Sequence, residues 1–234
     1  MYSYRNDPDV DGVGIAFVDA VGPDGGRLDV GTSQDDVRAP AWDLIERDLG
    51  ARVLTVRQVH SPRALIVDEG TDALALAQTE ADALATSSRG VALAVRVADC
   101  LPVLLADPDA GVVGAAHAGR VGLAAGVLPA VVGTLRALGA ARLTAWVGPH
   151  ICGECYEVPE QMRDDFSQAF PVAAARTTWG TPSLDLGAAA EAQLVGLGCT
   201  VRRLDPCTFT TPSLHSYRRD AAAAGRQAGL VWLP

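Results

Sequence analysis

Apolar runs of roughly five to eight residues alternate along this chain with Ala-rich stretches of helical spacing, a grammar that predicts a layered α/β or α+β domain. In the first half, ARVLTVRQVH predicts a strand over 52–59, ALIVD a second short strand, and VALAVRVA and VVGAAH two buried strands. The segment 33–49, SQDDVRAPAWDLIERDL, has an acidic start and apolar residues at helical spacing, so a helix is expected before the first of these strands. Glu80 to Ala85 reads as a turn or short helix. Gly122 to Leu138 reads as a long helix ended by Gly139, with Pro129 kinking or dividing it. The second half repeats the grammar: LTAWVGP and TVRRLD read as strands, Pro159 to Phe170 and Asp185 to Leu197 as helices, and the tail AGRQAGLVWLP as a strand closing a sheet edge. Asp185 suits a helix cap. No internal repeat and no linker-like composition breaks the chain, so 1–234 is read as one domain.

Three of the apolar runs end on a residue able to hold a soft metal: His60, Cys100 and His117. Each is followed by turn chemistry, in HSP, ADCLP and HAGR, which places two imidazoles and a thiol at rigid strand ends. Their wide separation excludes a zinc-finger knuckle, whereas three protein ligands with one open position is the pattern of a catalytic zinc. Gln58 beside His60 and Asp99 beside Cys100 are candidates for orienting the ligands, although adjacent strand residues point to opposite faces unless the strand has ended.

Composition narrows the partners. A chain of 234 residues with 49% hydrophobic residues can bury a sizeable core, and 28 acidic against 19 basic residues give a formal charge of −9. No electrostatic footprint for nucleic acid is visible, so an anionic substrate needs local arginines. MYSYRNDPDVDG lacks a basic and an apolar leader region, and no uncharged apolar stretch of about 18 residues occurs, so the reading is a soluble, cytoplasmic protein with no membrane partner. Five cysteines in a chain this large fit a reduced compartment better than a disulfide framework. Cys152 and Cys155 form a CxxC, and with Cys199 and Cys207 a four-thiolate site can be drawn, but the second pair lacks knuckle spacing, so packing is the default for all four. His150 is placed either near the metal or in a surface loop.

Taken together, QVH at 58–60, ADCLPVLLAD at 98–107, AAHAGR at 115–120, VGP at 147–149, CYEV at 155–158, LDL at 184–186, HSYRRD and AGRQAG resemble the purine nucleoside phosphorylase family formerly described as multicopper polyphenol oxidoreductases (laccases), which includes bacterial peptidoglycan editing factors. The resemblance spans about residues 50–234. It implies two packed mixed β-sheets flanked by helices, and zinc held by His60, Cys100 and His117. It further implies phosphorolysis of adenosine or inosine to base and ribose 1-phosphate, with adenosine deamination as a side activity. A phosphate clamp is then required, for which Arg120 and Arg218 or Arg219 are candidates because guanidinium forks match phosphate oxygens. Tyr217 could stack on a purine or simply pack.

The chain departs from the family pattern in two places. HAGRVG stands where HAGWRG is usual, so Arg120 takes the Trp position and Val121 the Arg position, and the N-terminal segment carries Ala20 and Asp29 instead of the usual Gly-Gly-Val-Ser turn and Asn-Leu segment. Copper oxidase chemistry of the laccase kind needs about ten imidazoles for its four coppers, against four histidines here, leaving copper only as a substitute ion at the zinc site. Two other functions remain open: amide hydrolysis of peptidoglycan precursors with Cys100 and His117 as nucleophile and base, and a non-catalytic interaction protein.

Overall fold

The computed structural model describes residues 1–32 and 39–234, and within them thirteen strands form two large mixed sheets and a small hairpin. In chain order the strands are β1 Tyr2–Arg5, β2 Gly14–Val18, β3 Arg52–Leu54, β4 Ala64–Ile66, β5 Ala83–Thr86, β6 Val91–Val97, β7 Leu101–Asp107, β8 Val112–Ala118, β9 Thr144–Val147, β10 Ala174–Arg176, β11 Pro182–Leu184, β12 Thr200–Arg203 and β13 Gln227–Trp232. One sheet has the order β1-β2-β13-β6-β3 and the other β12-β9-β7-β8-β5-β4, while β10 and β11 pair alone.

Period-two alternation decides how these sheets stack, because successive side chains leave a strand on opposite faces. Phe17, Ile15, Leu93, Val95 and Val231 of the five-stranded sheet meet Leu104, Ala106, Val113, Ala115 and Trp146 of the six-stranded sheet in a shared core. The opposite face of the six-stranded sheet, with Val103, Leu105 and Ala116, packs on helices Val127–Ala137 and Leu186–Gly196. The outer face of the other sheet packs Ala16, Ala94 and Leu230 on Trp42 and Ile45 of helix Ala41–Leu49. The expected pair of mixed sheets flanked by helices is therefore present.

Several expectations for single elements need correction. Ala83–Thr86 is a strand, not a turn or short helix, because it lies between β4 and β8 with every side chain buried; the sheet environment overrides the helix preference of Ala and Leu. The C-terminal strand β13 occupies the middle of its sheet between β2 and β6, not an edge, consistent with an apolar run buried on both faces. Strand β3 stops at Leu54, short of 59, and the chain leaves the sheet towards His60. The long helix is divided at Gly126 (φ 91°) into Arg120–Ala125 and Val127–Ala137, while Pro129 sits in the first turn of the second piece, where its missing N–H costs nothing. The part of the expected 33–49 helix that covers 33–38 lies outside the described residues; Ala41–Leu49 is helical. Strands β1 and β2 escaped the pattern reading altogether.

Candidate active site

The turn 98–100 carries the chain from β6 in one sheet to β7 in the other, and it delivers Cys100 to the head of β7. In the adjacent strand His117 is registered opposite Pro102, so thiol and imidazole arrive side by side from neighbouring strands. His60 arrives from a loop. Its Nε2 lies 3.7 Å from Cys100 Sγ, its ring meets that of His117 edge to face at 4.7 Å, and the three donor atoms all lie within 4.8 Å of one another.

Asp82, at the entry to β5, organises two of these three side chains. Its fully buried carboxylate accepts the amide N–H groups of Val59 (3.1 Å), His60 (2.9 Å) and Ser61 (2.6 Å) and the Ser61 hydroxyl (3.0 Å). It also accepts Nδ1–H of His117 at 2.8 Å, which fixes the tautomer and aims Nε2 at the thiol. His60 holds φ at 62°, a left-handed conformation that a residue with a Cβ adopts at a cost of about 1 kcal/mol, and the bonds to Asp82 offset that cost.

Electrostatics follow from this packing. Burial pushes the Cys100 thiol up, but the charge of His117 and hydrogen bonds from both imidazoles outweigh it and bring the thiol down to about 6. Burial lowers His117, yet the Cys100 charge and the Asp82 hydrogen bond raise it to about 9. Asp82, raised by burial but held by its donors, falls to about 2. The carboxylate, imidazole and thiol thus favour one another's charged forms in sequence.

Close approach is secured by glycine. A Cβ on Gly119 would stand 2.8 Å from Cys100 Sγ and 2.7 Å from His60 Cδ2, too close to two of the three donor side chains. A zinc ion at its usual bond lengths would draw nitrogen and sulfur donors to roughly 3.3–3.6 Å apart, which is close to the Cys100–His60 spacing already present. The donor set of one thiolate and two imidazoles suits a soft divalent ion.

The donors form one wall of a cavity of about 710 Å³. Arg96, Arg120, Arg218 and Arg226 contribute to its lining, although the guanidinium groups of Arg96 and Arg226 also donate to the carbonyls of Thr32 and Val56 and of Ala224 and Gly225. Arg218 lies 5.0 Å over the Tyr156 ring and donates to Glu157 O at 2.7 Å, and burial raises the Tyr156 phenol while the charges of Arg120 and Arg218 act to lower it. Val121, exposed on its short helix, is absent from the lining, so the cation at position 120 is the one that faces the cavity.

Other candidate residues fall into place less directly. Gln58 lines the cavity, but its amide exchanges two 2.8 Å hydrogen bonds with the backbone of Arg96 instead of orienting His60. Asp99, at φ 89°, accepts from the Thr208 hydroxyl and the Arg218 amide, both at 2.6 Å, and so fastens the C-terminal segment to the 98–100 turn. Arg219 is spent on the carbonyls of Thr208 and Leu214. Tyr217 lines the mouth with an exposed ring. His150 is not in a surface loop: it is buried, with Nδ1 donating to Gly148 O at 2.9 Å, and it is not one of the three grouped donors. Asp185 caps its helix through the Ala188 amide. Sequence reading missed Asp82, Gly119, Arg96, Arg226 and Tyr156. For Asp82 a signal existed, a lone carboxylate inside the apolar run ADALA.

Residues 27–234 match the profile of the family described as multi-copper polyphenol oxidoreductase laccase. The chain is 48% identical over 219 residues to a Streptomyces griseus protein named purine nucleoside phosphorylase, covering 89% of this chain and 87% of that one. It is 34% identical over 196 residues to a protein of an unknown prokaryotic organism named adenosine deaminase RL5, covering 79% and 72%. The crystal structure of YfiH from Bacillus licheniformis superposes with a TM-score of 0.83 at 26% identity, covering 96% of this chain and 94% of that one.

Proposed function

The chain belongs to the multi-copper polyphenol oxidoreductase laccase family, and from that membership and the geometry of the cavity we propose that it is a zinc-dependent purine nucleoside phosphorylase, converting adenosine or inosine to free base and ribose 1-phosphate. The observation that carries this reading is the arginine-lined cavity with His60, Cys100 and His117 on its wall. A zinc ion held by these three residues would supply Lewis acidity in a site with one open position. The multi-copper part of the family description does not fit the histidines: only His60 and His117 share a site, while His150 and His215 are buried elsewhere on backbone carbonyls.

In phosphorolysis a phosphate oxygen attacks the ribose C1′ as the bond from C1′ to the base nitrogen breaks, and the departing base takes up a proton. Arg120 and Arg218 would hold the phosphate, their forks placing its oxygens at one end of the cavity and lowering the cost of bringing an anion out of water. Asp82 holds the His117 ring and the His60 loop in position throughout. Adenosine deamination, suggested by the relative named adenosine deaminase RL5, would be a different step at the same wall: water adds to purine C6, the exocyclic amino group leaves as ammonia, and the bond to the ribose stays intact.

A second reading rests on a specific observation: Asp82, His117 and Cys100 form a carboxylate–imidazole–thiol series like that of cysteine hydrolases, which would suit amide cleavage of a peptidoglycan precursor. His60 beside the same sulfur favours metal binding over a free nucleophile. Incubation with inosine and adenosine, with and without phosphate, separates the readings by product analysis. Ribose 1-phosphate formed only with phosphate supports phosphorolysis; base release that ignores phosphate, or a thioester trapped on Cys100 from an amide substrate, contradicts it.

A further inference from the structure

A second group of soft ligands comes together beside the cavity. Cys152 and Cys155 flank a turn closed by hydrogen bonds from the backbone N–H groups of Cys155 (3.0 Å) and Tyr156 (2.9 Å) to Cys152 O. Cys207 enters from the segment after β12, where His150 and Cys207 form a parallel bridge and the Thr208 amide donates to His150 O at 3.0 Å. The three sulfurs lie within 4.8 Å of one another, all are free thiols, and the Cys152 amide donates to Cys207 Sγ at 3.4 Å.

Packing does not account for this arrangement. Cys199 behaves as an ordinary buried cysteine, lying in the apolar cluster between the six-stranded sheet and its helices. None of the other three belongs to an apolar cluster, although Cys155 is buried. Their sulfurs face one another, which is the arrangement a shared ligand requires.

We propose that Cys152, Cys155 and Cys207 form a second metal site, a three-thiolate centre for a soft ion of the class of zinc(II) and copper(I), separate from His60, Cys100 and His117. Thiolates select such ions. An ion about 2.3 Å from each sulfur sets the sulfurs roughly 3.8–4.0 Å apart, inside the span they already occupy. Each thiol yields its proton to solvent on ligation, and nothing is oxidised or reduced. The site joins segments that frame the cavity: Ile151 and Tyr156 line it, and Thr208 holds Asp99. An ion here would therefore brace the cavity wall, and by binding only the folded chain would raise its melting temperature.

The Cys100→Ala variant removes the only thiol of the first site, so thiolate-to-metal charge-transfer absorption on adding cobalt(II) reports the second site alone. The expected result is one equivalent of cobalt bound with that absorption, displaced by zinc, and lost when Cys207→Ser is added. Parallel titrations with zinc and copper(I) show which ion binds more tightly. Absence of the absorption in Cys100→Ala, its persistence after Cys207→Ser, or formation of a disulfide among Cys152, Cys155 and Cys207 in the presence of excess zinc would overturn the proposal. Should the double variant not fold, zinc-dependent protection of the three thiols from alkylation in the unmutated protein decides instead. Equal labelling with and without zinc counts against the site.

Discussion

Asp82 is the residue on which the geometry of the site turns. It accepts from the imidazole of one proposed ligand and from the backbone of another, so a single carboxylate sets the distance between His117 and His60. Asp82→Asn keeps the volume but replaces one acceptor oxygen with a donor, which must then face an N–H. We expect metal affinity to fall about 10- to 100-fold, measured by competition with a chromophoric chelator. Unchanged affinity would show that the ligands are positioned by other contacts. Gly119 acts in the opposite sense, by what it lacks, since any side chain would stand too close to those of Cys100 and His60. Neither residue declares its role in isolation: a glycine after His117 reads as a turn, and a carboxylate in ADALA reads as a polar interruption until the fold brings residue 82 to residues 59–61.

At the scale of elements, strand ends were legible and loop ends were not. Cys100 and His117 could be placed because apolar alternation locates β7 and β8, and register then makes them neighbours. The approach of His60 depends on a left-handed residue held by a distant carboxylate, which no local pattern encodes. The helix break was misplaced for a related reason: Gly126, at φ 91°, takes the left-handed position that ends the first piece, whereas Pro129 is harmless in a first turn. Asp107, at the end of β7, illustrates an element clamp unconnected with the site. Its buried carboxylate accepts the amides of Ala141 and Arg142, both at 2.7 Å, and of Ala110 at 3.3 Å. Burial raises its pKa, but these donors outweigh burial and hold it below the usual 3.8. A depressed folded-state pKa stabilises the fold above 3.8, and that contribution is lost as the pH falls through the lowered value. Asp107→Asn should therefore cost about 1–3 kcal/mol in denaturant unfolding at pH 7, with the difference from the unmutated chain shrinking in strong acid. An equal difference at both extremes would contradict the sign.

The whole molecule sets acidic bulk charge against a cationic cavity. A chain of charge −9 repels anions in general, so phosphate needs local cations, which the cavity lining offers in Arg96, Arg120, Arg218 and Arg226. Net charge announced the need for local arginines, but only packing showed that position 120 faces the cavity and position 121 does not. Arg120→Gln should raise the KM for phosphate about tenfold or more while leaving the KM for inosine little changed, read from steady-state kinetics with each substrate varied. Equal increases for both would place Arg120 outside the phosphate clamp. No described helix is long and apolar enough to cross a membrane. That the group formed by His60, Cys100 and His117 carries phosphorolysis is tested most directly by turnover of inosine by Cys100→Ala in phosphate buffer. The variant should remain folded, contain less zinc at this site and lose turnover by about a thousandfold or more; full turnover by Cys100→Ala would contradict the claim.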